Sequence, residues 1–247
     1  MNDDERARHA ASFDGASDAY DRARPGYPDD ALAWLIPPGA RDVLDLGAGT
    51  GKLTRQLIAA RRTVTAVEPL AGMRERLAAA VPDARLFGGD AEAIPLPDAG
   101  VDVVLVAQAW HWFDETRAGP EIARVLRPGG VLGLLWNDAD KTEPWVAALW
   151  DLLHERGEQK KEDDPVPHPG PDFERPVRRD FRHRHALDLD TLLDLVRSRS
   201  YVILLPEDRR RRLLDDVVEL VRGHPDIADP QALTLPYVTQ CWRTRRR

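Results

Sequence analysis

The sequence predicts an α/β fold in which helices cover both faces of a parallel sheet. Two patterns carry that prediction. Between residues 43 and 136, short β-branched or leucine-rich runs alternate with amphipathic helical segments. A glycine-rich turn, Gly47-Ala48-Gly49-Thr50-Gly51, separates the first run from the first helix of that alternation. Strands recurring at this spacing, each followed by a helix, pair in parallel through right-handed crossovers.

The elements follow in order. Ser12 to Ile36 reads as short helices broken by Pro25 and Pro28, and Pro37-Pro38-Gly39 closes that segment. Val43 to Leu46 is an apolar run stopped by glycine, the pattern of a buried parallel strand. Thr50 can cap the next helix, whose inward stripe is Leu53, Leu57 and Ala60. Thr63 to Val67 reads as a second strand, and Met73 to Ala80 as a helix that stops before Pro82. Ala84 to Phe87, Val101 to Val106 and Val131 to Trp136 supply three more strands. A helix from Glu121 to Leu126, ended by Pro128-Gly129-Gly130, precedes the last of these.

After Asn137 the pattern loosens. Trp145 to Glu155 reads as a helix, and Glu158 to Pro176 as a charged, proline-rich loop or lid. Leu187 to Val196 and Arg209 to Val221 read as amphipathic helices, and Leu233 to Trp242 as a final strand. The expected organisation is one domain over 1–247. It comprises an N-terminal helical cap (1–40), a core (41–137) and a C-terminal part (138–247) with a lid-like insertion at about 157–176.

Composition narrows the function classes. Hydrophobic residues make up 43% and charged residues 31%, enough for a sizeable core in a soluble protein. The net charge of −7 argues against nucleic acid as the main partner, because phosphate binding needs a basic footprint. The single cysteine, Cys241, excludes an intrachain disulfide and fits a reducing compartment. Met1 to His9 is charged and no apolar stretch reaches the ~20 residues needed to span a bilayer. The expectation is a cytoplasmic protein with a small-molecule substrate and no membrane partner.

The glycine turn lies where open α/β sheets bind ligands, outside the strand carboxyl ends. Three ligand classes use such turns. A phosphate-binding NTPase loop fails at two positions, since Leu53 follows Gly51-Lys52 and Leu46 holds the first glycine position. A dinucleotide fingerprint beginning at Gly47 and Gly49 fails at Lys52, where a third glycine belongs. Asp45, two residues before Gly47, suits instead a ligand with a cation to hold. S-adenosylmethionine is such a ligand: it carries an ammonium, a sulfonium and a ribose, and no phosphate.

On these residues the chain resembles the class I S-adenosylmethionine-dependent methyltransferases, whose first motif is an acid followed by alternating glycines. Asp45, Gly47, Gly49 and Gly51 match in register, and the resemblance runs from about Val43 to Trp136. It implies a Rossmann-like three-layer sandwich with a mostly parallel, seven-stranded sheet. It also implies cofactor contacts from Asp45, Gly47, Ala48, Gly49 and Gly51, and from Glu68 and Pro69 at the end of the second strand. There a carboxylate can accept both ribose hydroxyls. Asp90 and Ala91 would stand beside the adenine, and Gln108 would follow the fourth strand near the methyl.

The run Trp110-His111-Trp112-Phe113 can enclose an apolar acceptor, and His111 can act as a base towards a hydroxyl. This run resembles the small-molecule branch that includes trans-aconitate methyltransferases, within the type 11 methyltransferase domain. That resemblance places Tyr20, Arg24, Tyr27, Trp110, His111, Trp112 and Arg199 as substrate residues, with an arginine fork for a carboxylate. The implied activity is methyl transfer to a small organic acid or natural product, on oxygen. Binding of the cofactor without transfer, and RNA methylation through the Arg243–Arg247 tail, are the competing readings. The tail itself reads as a disordered terminus. His183 and His185 have metal-like spacing, but no further ligand set completes a site, so no metal is expected.

Overall fold

The computed structural model describes residues 23–155 and 166–247. In chain order its elements are α1 (Asp29–Leu35), β1 (Asp42–Leu46), α2 (Lys52–Ala59), β2 (Thr63–Val67), α3 (Ala71–Ala80), β3 (Arg85–Phe87) and β4 (Val101–Ala107). A 3-10 turn (Trp110–Trp112) leads to α4 (Glu115–Val125), β5 (Leu126–Ala139) and α5 (Pro144–Glu155). Then come β6 (Val177–Leu187), α6 (Leu189–Arg197), α7 (Ser200–Ile203), α8 (Glu207–Gly223) and β7 (Leu233–Arg245).

The strands form one seven-stranded sheet in the order β3-β2-β1-β4-β5-β7-β6. The pairs β3–β2, β2–β1, β1–β4 and β4–β5 are parallel, and the sheet as a whole is mixed. By its contacts the chain divides into two compact units. Of the described residues, one holds 26–137, 166–181 and 239–247; the other holds 23–25, 138–155 and 182–238.

In the first unit the alternation of side chains along each strand feeds two separate cores. Val43, Val103, Leu105, Val131 and Leu135 pack with Leu32 and Leu35 of α1 and Leu53 and Leu57 of α2. Leu44, Val104, Val106, Leu132 and Leu134 pack with Ile122 and Val125 of α4 on the opposite face. Covering both faces explains why these strands read as continuous apolar runs. The second unit is mostly helical. Trp145, Leu149 and Leu153 of α5, Leu192 and Val196 of α6, and Leu213, Val217 and Val221 of α8 form its core.

Two expectations are corrected. The Arg243–Arg247 tail is not a disordered terminus. The Arg243 guanidinium lies 4.4 Å over the Trp34 ring and donates to the Trp34 carbonyl at 2.7 Å. Arg246 donates to the Leu126 carbonyl, and Arg247 donates through Nε to the Phe173 carbonyl at 2.9 Å. These guanidiniums tie down main-chain carbonyls.

The proline-rich stretch is described over 166–176, where Pro167, Pro169 and Phe173 are buried and most of the other residues are exposed. Phe173 is 2% exposed in the α4-side core, and a Cβ at Gly119 of α4 would lie 2.0 Å from the Pro169 carbonyl oxygen. The second correction is β6, whose course in the sequence is marked only by the alternate spacing of His183 and His185. Its exposed arginines hide the buried Phe181 and Leu187. Charged side chains are usual on an edge strand, where they discourage pairing with other chains. Among the described residues no helix is long and apolar enough to cross a membrane.

Candidate active site

The glycine turn lies at the carboxyl end of β1. Gly47, Gly49 and Gly51 all have positive φ, at 73°, 57° and 88°, a region that disfavours residues with a Cβ. The amides of the turn point inward. Those of Gly47 and Ala48 donate to the Val67 carbonyl at 2.9 and 3.2 Å, that of Gly51 to Ala48, and that of Gly49 to Glu68 Oε2 at 2.8 Å. A phosphate loop aims such amides at its ligand. Here they are spent on the protein's own carbonyl and carboxylate oxygens, which suits a ligand without phosphate.

Asp45 shares the sheet face of Val43 and is 1% exposed. Thr54 of α2 donates to its Oδ2 at 2.6 Å, while Oδ1 is buried with no hydrogen-bond partner. Burial, with the nearby Glu68 charge as a smaller contribution, pushes the Asp45 carboxyl up to about 7. Glu68, 4% exposed, accepts from the Gly49 and Leu70 amides, yet burial still raises it above the usual range. Two buried carboxylates, one with a bare oxygen, form a site that a cation would neutralise. The residues therefore fit the ammonium-bearing cofactor implied by the motif.

The other candidates fall around this centre. Pro69 is exposed, with its carbonyl held by Arg74. Asp90 is exposed at a turn closed by the Ala93 amide, its charge acts on Glu68, and Ala91 beside it is 4% exposed. Gln108 directly follows β4 with φ 60°, a strained conformation for a non-glycine residue and one that recurs at functional sites. The aromatic run reaches the glycine turn directly, since a Cβ at Gly47 would lie 2.8 Å from Ala109 Cβ and 3.6 Å from Phe113 Cζ.

Within that run the members differ. Trp110 is 3% exposed and donates to Glu115 Oε1 at 2.7 Å, so it packs the core. His111 is exposed beside Trp112, and Trp112 and Phe113 are half-buried. Tyr27 is 9% exposed, in the core next to α1. Tyr20 lies outside the described residues.

Arg24 and Arg199 belong to the helical unit, where both charges act on the buried Tyr237 hydroxyl. Arg199 sits 4.7 Å over the Trp150 ring. His183 stacks on Tyr237 at 5.6 Å, and His185 Nε2 lies 3.1 Å from the Ala23 carbonyl.

Sequence reasoning missed three residues that hold the site together. Thr54 orients Asp45, and its only signal was a hydroxyl in the inward stripe of α2. Glu92 accepts from the Asp114 amide at 2.7 Å, tying the Asp90 turn to the aromatic run. Glu115 joins the Trp110 indole to the His168 amide. The last two had no sequence signal, because carboxylates near loops are ordinary surface residues.

Residues 44–134 match a family described as a methyltransferase domain. The chain is similar to an uncharacterized methyltransferase of Mycobacterium bovis, 47% identical over 232 residues that make up 94% of each. It is 37% identical over 152 residues, 58% of each chain, to a malonyl-[acyl-carrier protein] O-methyltransferase of Pectobacterium atrosepticum. Among solved structures it is similar to a protein assigned as a type II methyltransferase from Anaeromyxobacter dehalogenans. The TM-score is 0.70 at 28% identity, covering 90% of this chain and 97% of that one.

Proposed function

The chain belongs to the class I S-adenosylmethionine-dependent methyltransferases, and we propose that it methylates an oxygen of a small organic acid or natural product, with a carboxylate as the accepting group. The observation that carries this reading is the likeness to an O-methyltransferase of a malonyl group, and the Arg24 and Arg199 charges near the buried Tyr237 hydroxyl support it. Planar guanidinium forks suit carboxylates, and the Arg199 guanidinium carbon lies 4.7 Å over the Trp150 ring. The malonyl group is itself a carboxylic acid, which supports the same acceptor class.

When bound, S-adenosylmethionine supplies a methyl group made electrophilic by the adjoining sulfonium. Asp45 and Glu68 would hold the cofactor's amino-acid and ribose parts, the glycine turn giving its backbone room. Asp90, Ala91 and Pro69 would flank the adenosine, and Gln108 the sulfur end. A carboxylate is already anionic at neutral pH, so no proton has to be removed before attack. The protein's work is then alignment and exclusion of water, tasks suited to Trp112 and Phe113. His111 would line the acceptor side without serving as an obligatory base.

Incubation with methyl-tritiated cofactor and a panel of mono-, di- and tricarboxylic acids tests this reading. Label should appear in an organic extract and be released by mild alkali, as methyl esters are. Label found only in alkali-stable products, with none in any acid, would reject the carboxylate acceptor.

A further inference from the structure

One short segment, Gly26-Tyr27, is held by two side-chain amides from well-separated parts of the sequence. Gln56 of α2 grips the main chain of Tyr27 on both sides: Oε1 accepts from the Tyr27 amide at 2.9 Å, and Nε2 donates to its carbonyl at 2.8 Å. Asn137, near the end of β5, donates through Nδ2 to the Gly26 carbonyl at 3.0 Å. Its Oδ1 accepts from the fully buried Thr239 hydroxyl at 2.6 Å. Its own carbonyl lies 3.4 Å from the Gln108 Nε2.

The orientation of the Asn137 amide follows from chemistry. A main-chain carbonyl can only accept, so the group facing Gly26 must be the NH2. Oδ1 is then turned to Thr239, whose hydroxyl must donate. Reversing the amide would set two acceptors against each other at Gly26. Thr239 therefore fixes Asn137, and Asn137 fixes Gly26.

Gln108 directly follows β4 and Asn137 lies near the end of the adjacent parallel strand β5, while Gln56 lies on the helix that follows the glycine turn. The segment is thus pinned along the carboxyl edge of the sheet, the edge where such sheets take ligands. Pro25 and Pro28 bracket it, which limits its freedom further. We propose that Asn137 is a positioning residue: set by Thr239, it latches Gly26-Tyr27 as a wall that retains the cofactor, without touching the reactants itself. The inference rests on the reading of this edge as the cofactor site, and it is independent of the acceptor.

The experiment measures release of S-adenosylhomocysteine from the full chain by stopped-flow tryptophan fluorescence, with thermal melts alongside. Asn137→Asp keeps the shape and the Thr239 acceptor but replaces the donor with a carboxylate facing a carbonyl. It should speed release about tenfold, as should Gln56→Ala. The two changes together should be less than additive, because both free the same segment. Thr239→Ser should release at the wild-type rate and Thr239→Val faster. Melting temperature separates latch from scaffold: a purely structural role would lower it while leaving release unchanged. Release within twofold of wild type in Asn137→Asp and in Gln56→Ala would overturn the proposal. Wild-type protein that binds no S-adenosylhomocysteine would instead refute the cofactor site beneath it.

Discussion

The Glu68 carboxylate closes the glycine turn from below, accepting the Gly49 amide at 2.8 Å across nineteen residues of sequence. Its other oxygen accepts from Leu70 at 3.0 Å. Glu68 therefore braces the turn with the same group that the motif assigns to the ribose, and each oxygen has a further lone pair to offer.

This double duty gives the first prediction. Glu68→Ala should weaken S-adenosylhomocysteine binding by ~1.5–3 kcal/mol, the range for hydrogen bonds to a charged group. Glu68→Gln should fall between wild type and alanine, because an amide offers only one accepting oxygen. Titration calorimetry reads both, and unchanged affinity in Glu68→Ala would remove this residue from the site.

Asp45 predicts a pH dependence. Its carboxyl titrates near 7 in the folded protein and near 3.8 when unfolded. The folded state thus holds the proton more tightly, so this group's contribution to stability declines as pH rises from about 4 to 7. A cationic ligand needs the ionised form, so cofactor affinity should climb with pH up to about 7 and then level. Glu68, raised in the same direction, adds to both trends. Asp45→Asn should flatten the affinity profile between pH 5.5 and 7. A wild-type affinity that is constant over that interval would contradict the assignment.

His111 is exposed on its 3-10 turn, and a carboxylate acceptor gives it no proton to take. His111→Ala should keep turnover within about threefold of wild type. A loss of a hundredfold or more, the usual cost of removing a general base, would point to a hydroxyl acceptor instead.

Gly119 predicts a packing effect. A methyl group there would collide with the Pro169 carbonyl, whereas the helix-end Gly223 has open space around its missing Cβ. Gly119→Ala should cost about 1–3 kcal/mol, the usual penalty of overpacking, and lower the melting temperature. Gly223→Ala should leave the melting temperature nearly unchanged. Equal melting temperatures for the two variants would mean that the 166–173 loop does not press on α4.

Much of the first unit was legible because its strands are buried on both faces and its glycines sit at a turn few ligands can use. Val43 to Leu46 and Val101 to Val106 announce themselves by apolar character alone. β6 did not, since an edge strand shows solvent a row of arginines and buries only Phe181 and Leu187. The tail misled for a related reason: clustered arginines resemble a solvated terminus, and nothing local reveals that Trp34, Leu126 and Phe173 offer them carbonyls. Asp45 and Glu68 could be named from spacing, but the Thr54, Gln56 and Asn137 contacts that arrange the site join residues distant in the chain. Only the fold brings those together.

The most direct measurement is a calorimetric titration of the purified chain with S-adenosylhomocysteine, run beside NAD. The account predicts saturable one-to-one uptake of the thioether nucleoside and no heat from the dinucleotide. Retention of the dinucleotide, or no saturable uptake of the nucleoside, would contradict it.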